Sequence, residues 1–193
     1  ALDNHLRSEM QKQLMDILSQ FSGVAVLVSH SIEEAYRICG NLAVLSEGKV
    51  AALGDKERIF RSPPNHVAAQ LTGCKNLSRA RLLSPGRYEA VDWGCELRVD
   101  GEVSSRASHI GIRAHSVSIA AEKSGRNAFE CRVFDINESP FSVTLYLGLE
   151  ESGPDSCSSH LICEMSREKW LRLENLPRPW YVQLHPQSLF LME

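Results

Sequence analysis

His30 is the residue of this chain whose neighbours best fit it for chemistry. It follows the apolar run Val24-Ala25-Val26-Leu27-Val28 and Ser29, and it precedes Ser31-Ile32-Glu33-Glu34-Ala35-Tyr36. An imidazole at the end of a buried strand can donate one hydrogen bond to a phosphate oxygen and make a second across the site. The plainer alternative is a strand-end histidine satisfied by local backbone. Asp3 offers a carboxylate at the start of a helix, where capping alone explains it. Glu33 and Glu34 look like a catalytic pair, but an acidic first turn is better read as a capped helix start favoured by the helix dipole. A second constellation is Ser124, Arg126 and Asn127. Hydroxyl, guanidinium and amide donors suit the oxygens of a tetrahedral anion. The alternative is that these residues shape a turn and a subunit contact.

The six cysteines, Cys39, Cys74, Cys95, Cys131, Cys157 and Cys163, form no C-x-x-C pair. They read as reduced, mostly buried thiols of a cytosolic protein, and no metal site is expected. A Cys157–Cys163 bridge has no support in the spacing.

Helix and strand periods supply the elements that hold these groups. Leu6, Met10, Leu14, Ile17, Leu18 and Phe21 recur on one face, which predicts a helix from Asn4 to Gln20. Val24–Val28 has no polar alternation, so it is expected as a strand covered on both faces. Ser31 and Glu34 form a capping box for a short helix, with Gly40 at its C′ position. Leu42–Leu45 and Val50–Leu53 around Glu47-Gly48-Lys49 predict a hairpin. Short helices are expected at Asp55–Phe60, stopped by Pro63-Pro64, and at Asn65–Leu71, closed by Gly73.

Composition changes near Gly73. Short strands follow, around Leu97 and Val99, Ile110–Arg113, Val117–Ile119, Cys131–Ile136, Val143–Leu147, Leu161–Met165, Trp180–Leu184 and Leu189–Met192. A brief helix capped by Ser166 carries Trp170 and Leu173. Many short strands with regular turns imply a small barrel or sandwich. A degenerate repeat runs through this region. Asn76-x-x-x-Ala80-Arg81-Leu82 parallels Asn127-x-x-x-Cys131-Arg132-Val133, and Ser116-Val117-Ser118-Ile119 parallels Ser188-Leu189-Phe190-Leu191. Two similar β-units that share strands are expected.

The totals narrow the function. The chain has 193 residues and a formal net charge of -3, so nucleic acid is not an expected partner. Trp93, Trp170, Trp180, Phe129, Phe134 and Phe141 are not interleaved with basic residues in sequence and read as core or dimer packing. No apolar run approaches a membrane span, and no signal peptide is visible. The start at Ala1, without Met, reads as a cut or a cleavage.

The stretch "VSHSIEEAYRICGNLAVLSEGKVAALG" resembles the end of the ATP-binding cassette of ABC transporters. It has the strand, the switch histidine, the "EEA" helix, and the "G-x-[IV]-x-x-x-G" hairpin. Ala1, Leu2 and Asp3 resemble the D-loop at the expected distance upstream. The resemblance gives His30 a γ-phosphate contact and gives the D-loop residues a contact with the opposite nucleotide site of a cassette dimer. "HIGIRAHSVSIA" and "SGRNAFECRVFDI" are similar to elements of TOBE/MOP domains. In the second, Ser124, Arg126, Asn127, Val133 and Ile136 match, while Phe129 replaces Leu and Cys131 replaces Gly. A lysine that the family places near the last strand is absent at Gln183-Leu184-His185-Pro186.

The resemblance therefore implies an α+β chain. Residues 1–72 would be the tail of a truncated α/β cassette, and 73–193 a β-rich, OB-like TOBE barrel with a regulatory role. It implies the C-terminal fragment of an ABC importer subunit that uses ATP and Mg when intact. The expected partners are a second ATP-binding subunit, the membrane permease subunits and an oxyanion or small-molecule regulator. The expected location is the cytoplasmic face of a bacterial plasma membrane, held peripherally. The chain has no G-x-x-x-x-G-K-[ST] loop, no LSGGQ-like signature and no apolar strand ending in Asp-Glu. It should bind no cofactor and be inactive alone. The rival reading is a stand-alone oxyanion-binding or dimerisation module.

Overall fold

The computed structural model describes residues 4–100, 104–149 and 160–193. The first helix, α1 (Asn4–Ser19), has the expected span. Its apolar face is uncovered: Met10, Ile17 and the following Phe21 are all more than half exposed. The cap expected of Asp3 lies outside the described residues.

Val24–Val28 corrects an expectation. The segment is neither strand nor helix, and Val24, Val26 and Val28 are 91%, 85% and 89% exposed. A strand exists only through ladder bonds to neighbours. No other strand among the described residues pairs with it, because the adjacent hairpin forms a two-stranded sheet by itself.

Helix α2 (Ile32–Ile38) starts where the capping box places it. Ser31 Oγ accepts from the Glu34 N–H at 3.3 Å. The return leg runs through an extra residue. The Ser31 N–H donates to Ser29 Oγ at 3.0 Å, and the Ser29 hydroxyl donates to the Glu34 carboxylate at 2.5 Å. Strands β1 (Asn41–Ser46) and β2 (Lys49–Asp55) form the expected hairpin. Its turn residues Glu47 and Gly48 have φ of 50° and 73°, the left-handed pair that matches the twist of a two-residue hairpin. Asp55 and Asn65 cap α3 (Lys56–Arg61) and α4 (His66–Leu71). Ala52, Ile59 and Ala68 form a small core beneath them.

The β-rich region contains ten strands in two five-stranded antiparallel sheets. The strands are β3 (Asn76–Ser84), β4 (Arg87–Ala90), β5 (Cys95–Arg98), β6 (His109–Ile112) and β7 (Val117–Ala120). Then come β8 (Ala128–Glu138), β9 (Ser142–Leu149), β10 (Leu161–Ser166), β11 (Trp180–Leu184) and β12 (Leu189–Met192). Helix α5 (Arg167–Glu174) lies between β10 and β11, capped by Ser166. The sheets run β10-β9-β8-β11-β7 and β12-β6-β3-β4-β5. Side chains from both fill one core, including Ile110, Val143, Leu145, Leu161, Val182 and Leu184. Together they make the small barrel expected.

The two sheets are one design used twice. Strands β3 to β6 correspond to β8 to β11, and each unit ends in a 3-10 turn, Ala114–Ser116 or Pro186–Ser188. The last strands are exchanged: β7 pairs with β11, and β12 pairs with β6. The strand sharing expected from the repeat therefore occurs. Asn76 and Asn127, at matching positions, lock the units reciprocally. The Asn76 amide donates to Ile162 O and accepts from Ile162 N–H, both at 2.7 Å. Asn127 does the same to Arg98, at 2.8 and 2.9 Å, and also donates to Leu184 O at 2.9 Å. Each asparagine thus ties its own sheet to the edge strand of the other.

Candidate functional site

His30 stands exposed between the unpaired valine segment and α2. The ring of hydrogen bonds through Ser29, Ser31 and Glu34 fixes the backbone on either side of it. Glu34 is therefore a capping group, as expected, and Glu33 is exposed at the start of the helix. Gln11 of α1 donates to Glu34 at 3.3 Å and accepts from Arg37 at 2.9 Å, so α1 and α2 are joined beside the histidine. Ala1, Leu2 and Asp3, expected to contact the opposite nucleotide site of a cassette dimer, lie outside the described residues.

The far side of α2 leads to the barrel. Tyr36 donates to Glu57 at 2.6 Å. That carboxylate, together with partial desolvation, raises the phenol above its ordinary value. The Tyr36 ring meets Phe60 edge-on at 4.8 Å. Phe60 and Thr72 in turn receive Arg113, which ends β6. Its guanidinium donates to Phe60 O at 2.6 and 3.2 Å, to Thr72 O at 2.7 Å and to Thr72 Oγ1 at 3.0 Å. It also lies over the rings of Phe60 and Phe190. Burial pulls it below its ordinary value. A half-buried guanidinium held by carbonyls is a latch between the helices before residue 73 and the barrel after it. In the sequence Arg113 stands only as the last residue of an expected strand and as part of a motif. A charged residue directly after the apolar run Ile110-Gly111-Ile112 was the available signal.

The second constellation is dispersed. Ser124 and Arg126 are exposed, and Asn127 is 3% exposed. Both side-chain polar atoms of Asn127 serve the clamp to Arg98 and Leu184. Ser124 Oγ accepts from Gln183 at 2.6 Å, and Ser118 Oγ lies 3.1 Å from His185 Nε2. This makes a surface polar group on β7 and β11 that Arg126 does not join. The cysteines Cys74, Cys95, Cys131 and Cys163 are buried thiols that form no disulfide among the described residues. Burial pushes the Cys163 thiol up to about 12. No group of three or more His, Cys, Asp or Glu side chains that could hold a metal occurs among the described residues.

No protein-family model matches the chain. Over 196 residues it is 24% identical to the sulfate/thiosulfate import ATP-binding protein CysA of Nitrosomonas europaea, a match covering 99% of this chain and 51% of that protein. It is 35% identical over 135 residues to the putrescine transport ATP-binding protein PotG of Escherichia coli K12, covering 63% of this chain and 34% of PotG. This chain's homologues are ABC importer ATP-binding proteins. It spans about half, or less, of the length of these curated relatives. Among solved structures it is similar to the cytoplasmic molybdate-binding protein ModG with molybdate bound. That likeness has a TM-score of 0.47 and 12% identity, and it covers 62% of this chain and 96% of that one. The ABC importer relatives are named for binding ATP, and no described helix here is long and apolar enough to cross a membrane.

Proposed function

We propose that this chain is the C-terminal portion of the ATP-binding subunit of an ABC importer. Residues 1–72 are the tail of the nucleotide-binding cassette, and 73–193 are a TOBE-like regulatory domain. The observation that carries the reading is the match of 99% of the chain to an import ATP-binding protein. The bare valine segment beside His30 supports it, since such a segment needs sheet neighbours that the chain itself does not provide. In the complete subunit, His30 donates to the γ-phosphate of ATP bound with Mg, and Ala1, Leu2 and Asp3 face the opposite nucleotide site of a paired subunit. The pair works against membrane permease subunits at the cytoplasmic face. The latch at Arg113 mechanically joins the α2–α3 segment to the barrel.

Phosphoryl transfer depends on positioned backbone amides and cations, and the residues present supply no cradle for phosphates. The isolated chain should therefore neither retain ATP nor release phosphate from it. Turnover by the purified chain above that of a His30→Ala control would end this reading. The positive arm joins the chain to the upstream half of an import ATP-binding protein. Hydrolysis should appear in the joined protein and depend on His30.

A further inference from the structure

One side of β8, the longest strand of the barrel, is unpaired over more than half its length among the described residues. Strand β8 has eleven residues, and β9 pairs with it from Cys131 to Glu138. On its other side β11 pairs only with Ala128 to Cys131. The cause is local. Pro177 and Pro179 flank Arg178 just before Trp180, and a proline cannot donate to a ladder. The Asn127 carbonyl accepts from the Leu184 N–H on the β11 side. By the alternation of a strand, Val133 turns its own N–H and C=O to that side, beyond the point where β11 stops.

A cavity of about 380 Å³ lies at this point, lined by Cys131, Arg132, Val133, Arg178, Pro179 and Trp180 and by one carboxylate, Glu130, which forms no ion pair with either arginine. Arg178 lies over the Trp180 ring at 4.6 Å, and Arg132 over Phe134 at 5.8 Å. Neither guanidinium has a carboxylate partner among the described residues. The aromatic faces orient both groups and leave their N–H edges free for an anion. An open ladder edge asks for an extended backbone, and two guanidiniums without a carboxylate partner among the described residues ask for carboxylates.

We propose that the open edge of β8 with Arg132 and Arg178 is a docking site for an acidic, extended segment of a partner protein. The segment adds as a strand in line with β11. Its backbone pairs at Val133, and its carboxylates meet Arg132 and Arg178. This does not depend on the ATPase reading, and its failure would leave that reading untouched.

The test uses the whole chain and a fluorescein-labelled decapeptide of alternating Glu and Val, read by anisotropy. Both arginines are exposed, so Arg132→Glu and Arg178→Glu should fold. Each should weaken binding by roughly tenfold or more. The double variant should instead take a Lys/Val decapeptide. A Glu/Val peptide N-methylated along one edge should not bind. Equal binding of both peptides to the unaltered chain, indifference to the arginine changes, or binding of the N-methylated peptide would each overturn the proposal. So would citrate binding as tightly as the peptide, or self-association of the chain that buries this edge.

Discussion

Replacing His30 by alanine in the complete subunit is expected to lower coupled ATP hydrolysis by roughly 3 kcal/mol of transition-state stabilisation, on the order of a hundredfold. The side chain is exposed and makes no hydrogen bond among the described residues, so folding should not change. Unchanged phosphate release by a well-folded variant would make His30 a bystander. Asn127 behaves in the opposite way. Asn127→Ala leaves the buried Leu184 C=O and the partly buried Arg98 N–H and C=O without their partner. The expected cost is about 2–4 kcal/mol of stability, read as a lower urea midpoint with an unchanged m-value. Asn76→Ala should cost slightly less, since that amide makes two such bonds rather than three. The sequence showed that these asparagines match. That they reach across to the other unit could not be read from it, because a repeat fixes what is equivalent and not what it touches.

At the scale of elements, glycines beneath aromatic rings show how tightly the strands are fitted. A Cβ on Gly148 would lie 2.2 Å from the Phe134 ring, and one on Gly111 would lie 2.6 Å from the Phe190 ring. Gly148→Ala should therefore destabilise the barrel by about 1–3 kcal/mol. In a Phe134→Ala background the same change should cost much less, because the ring that blocks the methyl is gone. A thermodynamic cycle on the four proteins measures the coupling, and additivity within a few tenths of a kcal/mol would refute the contact. Phe134 is expected from the sequence to pack in the core or in a dimer. It is 51% exposed, and one side of its ring is already occupied by Gly148. Most strands were legible because each buries one alternating face. The exceptions are informative. Strand β4 is not legible in the sequence, and β3 is legible only through its repeat match to β8, since β3 carries Arg79 and Arg81 where an apolar face would be sought. Arg81 pairs across strands with Glu89 of β4, and Arg79 pairs with Asp92 in the turn after β4. Val24–Val28 was read correctly as strand-like sequence and wrongly as a strand here, because a strand is a property of its neighbours as well as of its residues.

The whole molecule depends on how the helical segment before residue 73 is seated on the barrel, and that seat contains two histidines. His66 of α4 and His109 of β6 face each other with ring centroids 4.8 Å apart. Next to them the Glu193 N–H donates to Pro64 O, Ser108 Oγ lies 2.8 Å from His109 Nδ1, and Arg79 and Asp92 form an ion pair. Burial pulls His109 below its ordinary value. The charge of His66 and then that of Arg79 act in the same direction, while Asp92 opposes them. His109 is thus neutral when seated, and the unfolded chain takes up the proton first. Its contribution is complete above the unfolded value of about 6.5 and is lost as pH falls through the folded value. Asp92, held low by Arg79, adds a loss of the same sign only in more acidic solution, below the ordinary carboxylate range. The urea midpoint should therefore decline between pH 7.5 and 5.5 in the unaltered chain, and His109→Gln should flatten that decline. His66→Gln should flatten it partly, since it removes one of the groups that lower His109, and the imidazole NMR titration of His109 should then move to higher pH. If the midpoint is constant across that range, or if His66→Gln leaves the His109 titration in place, the two rings do not share charge at this seat. The joint would then rest on contacts that do not titrate in this range, the carbonyl bonds of Arg113 and the packing of Ala69 on Phe190 and Met192.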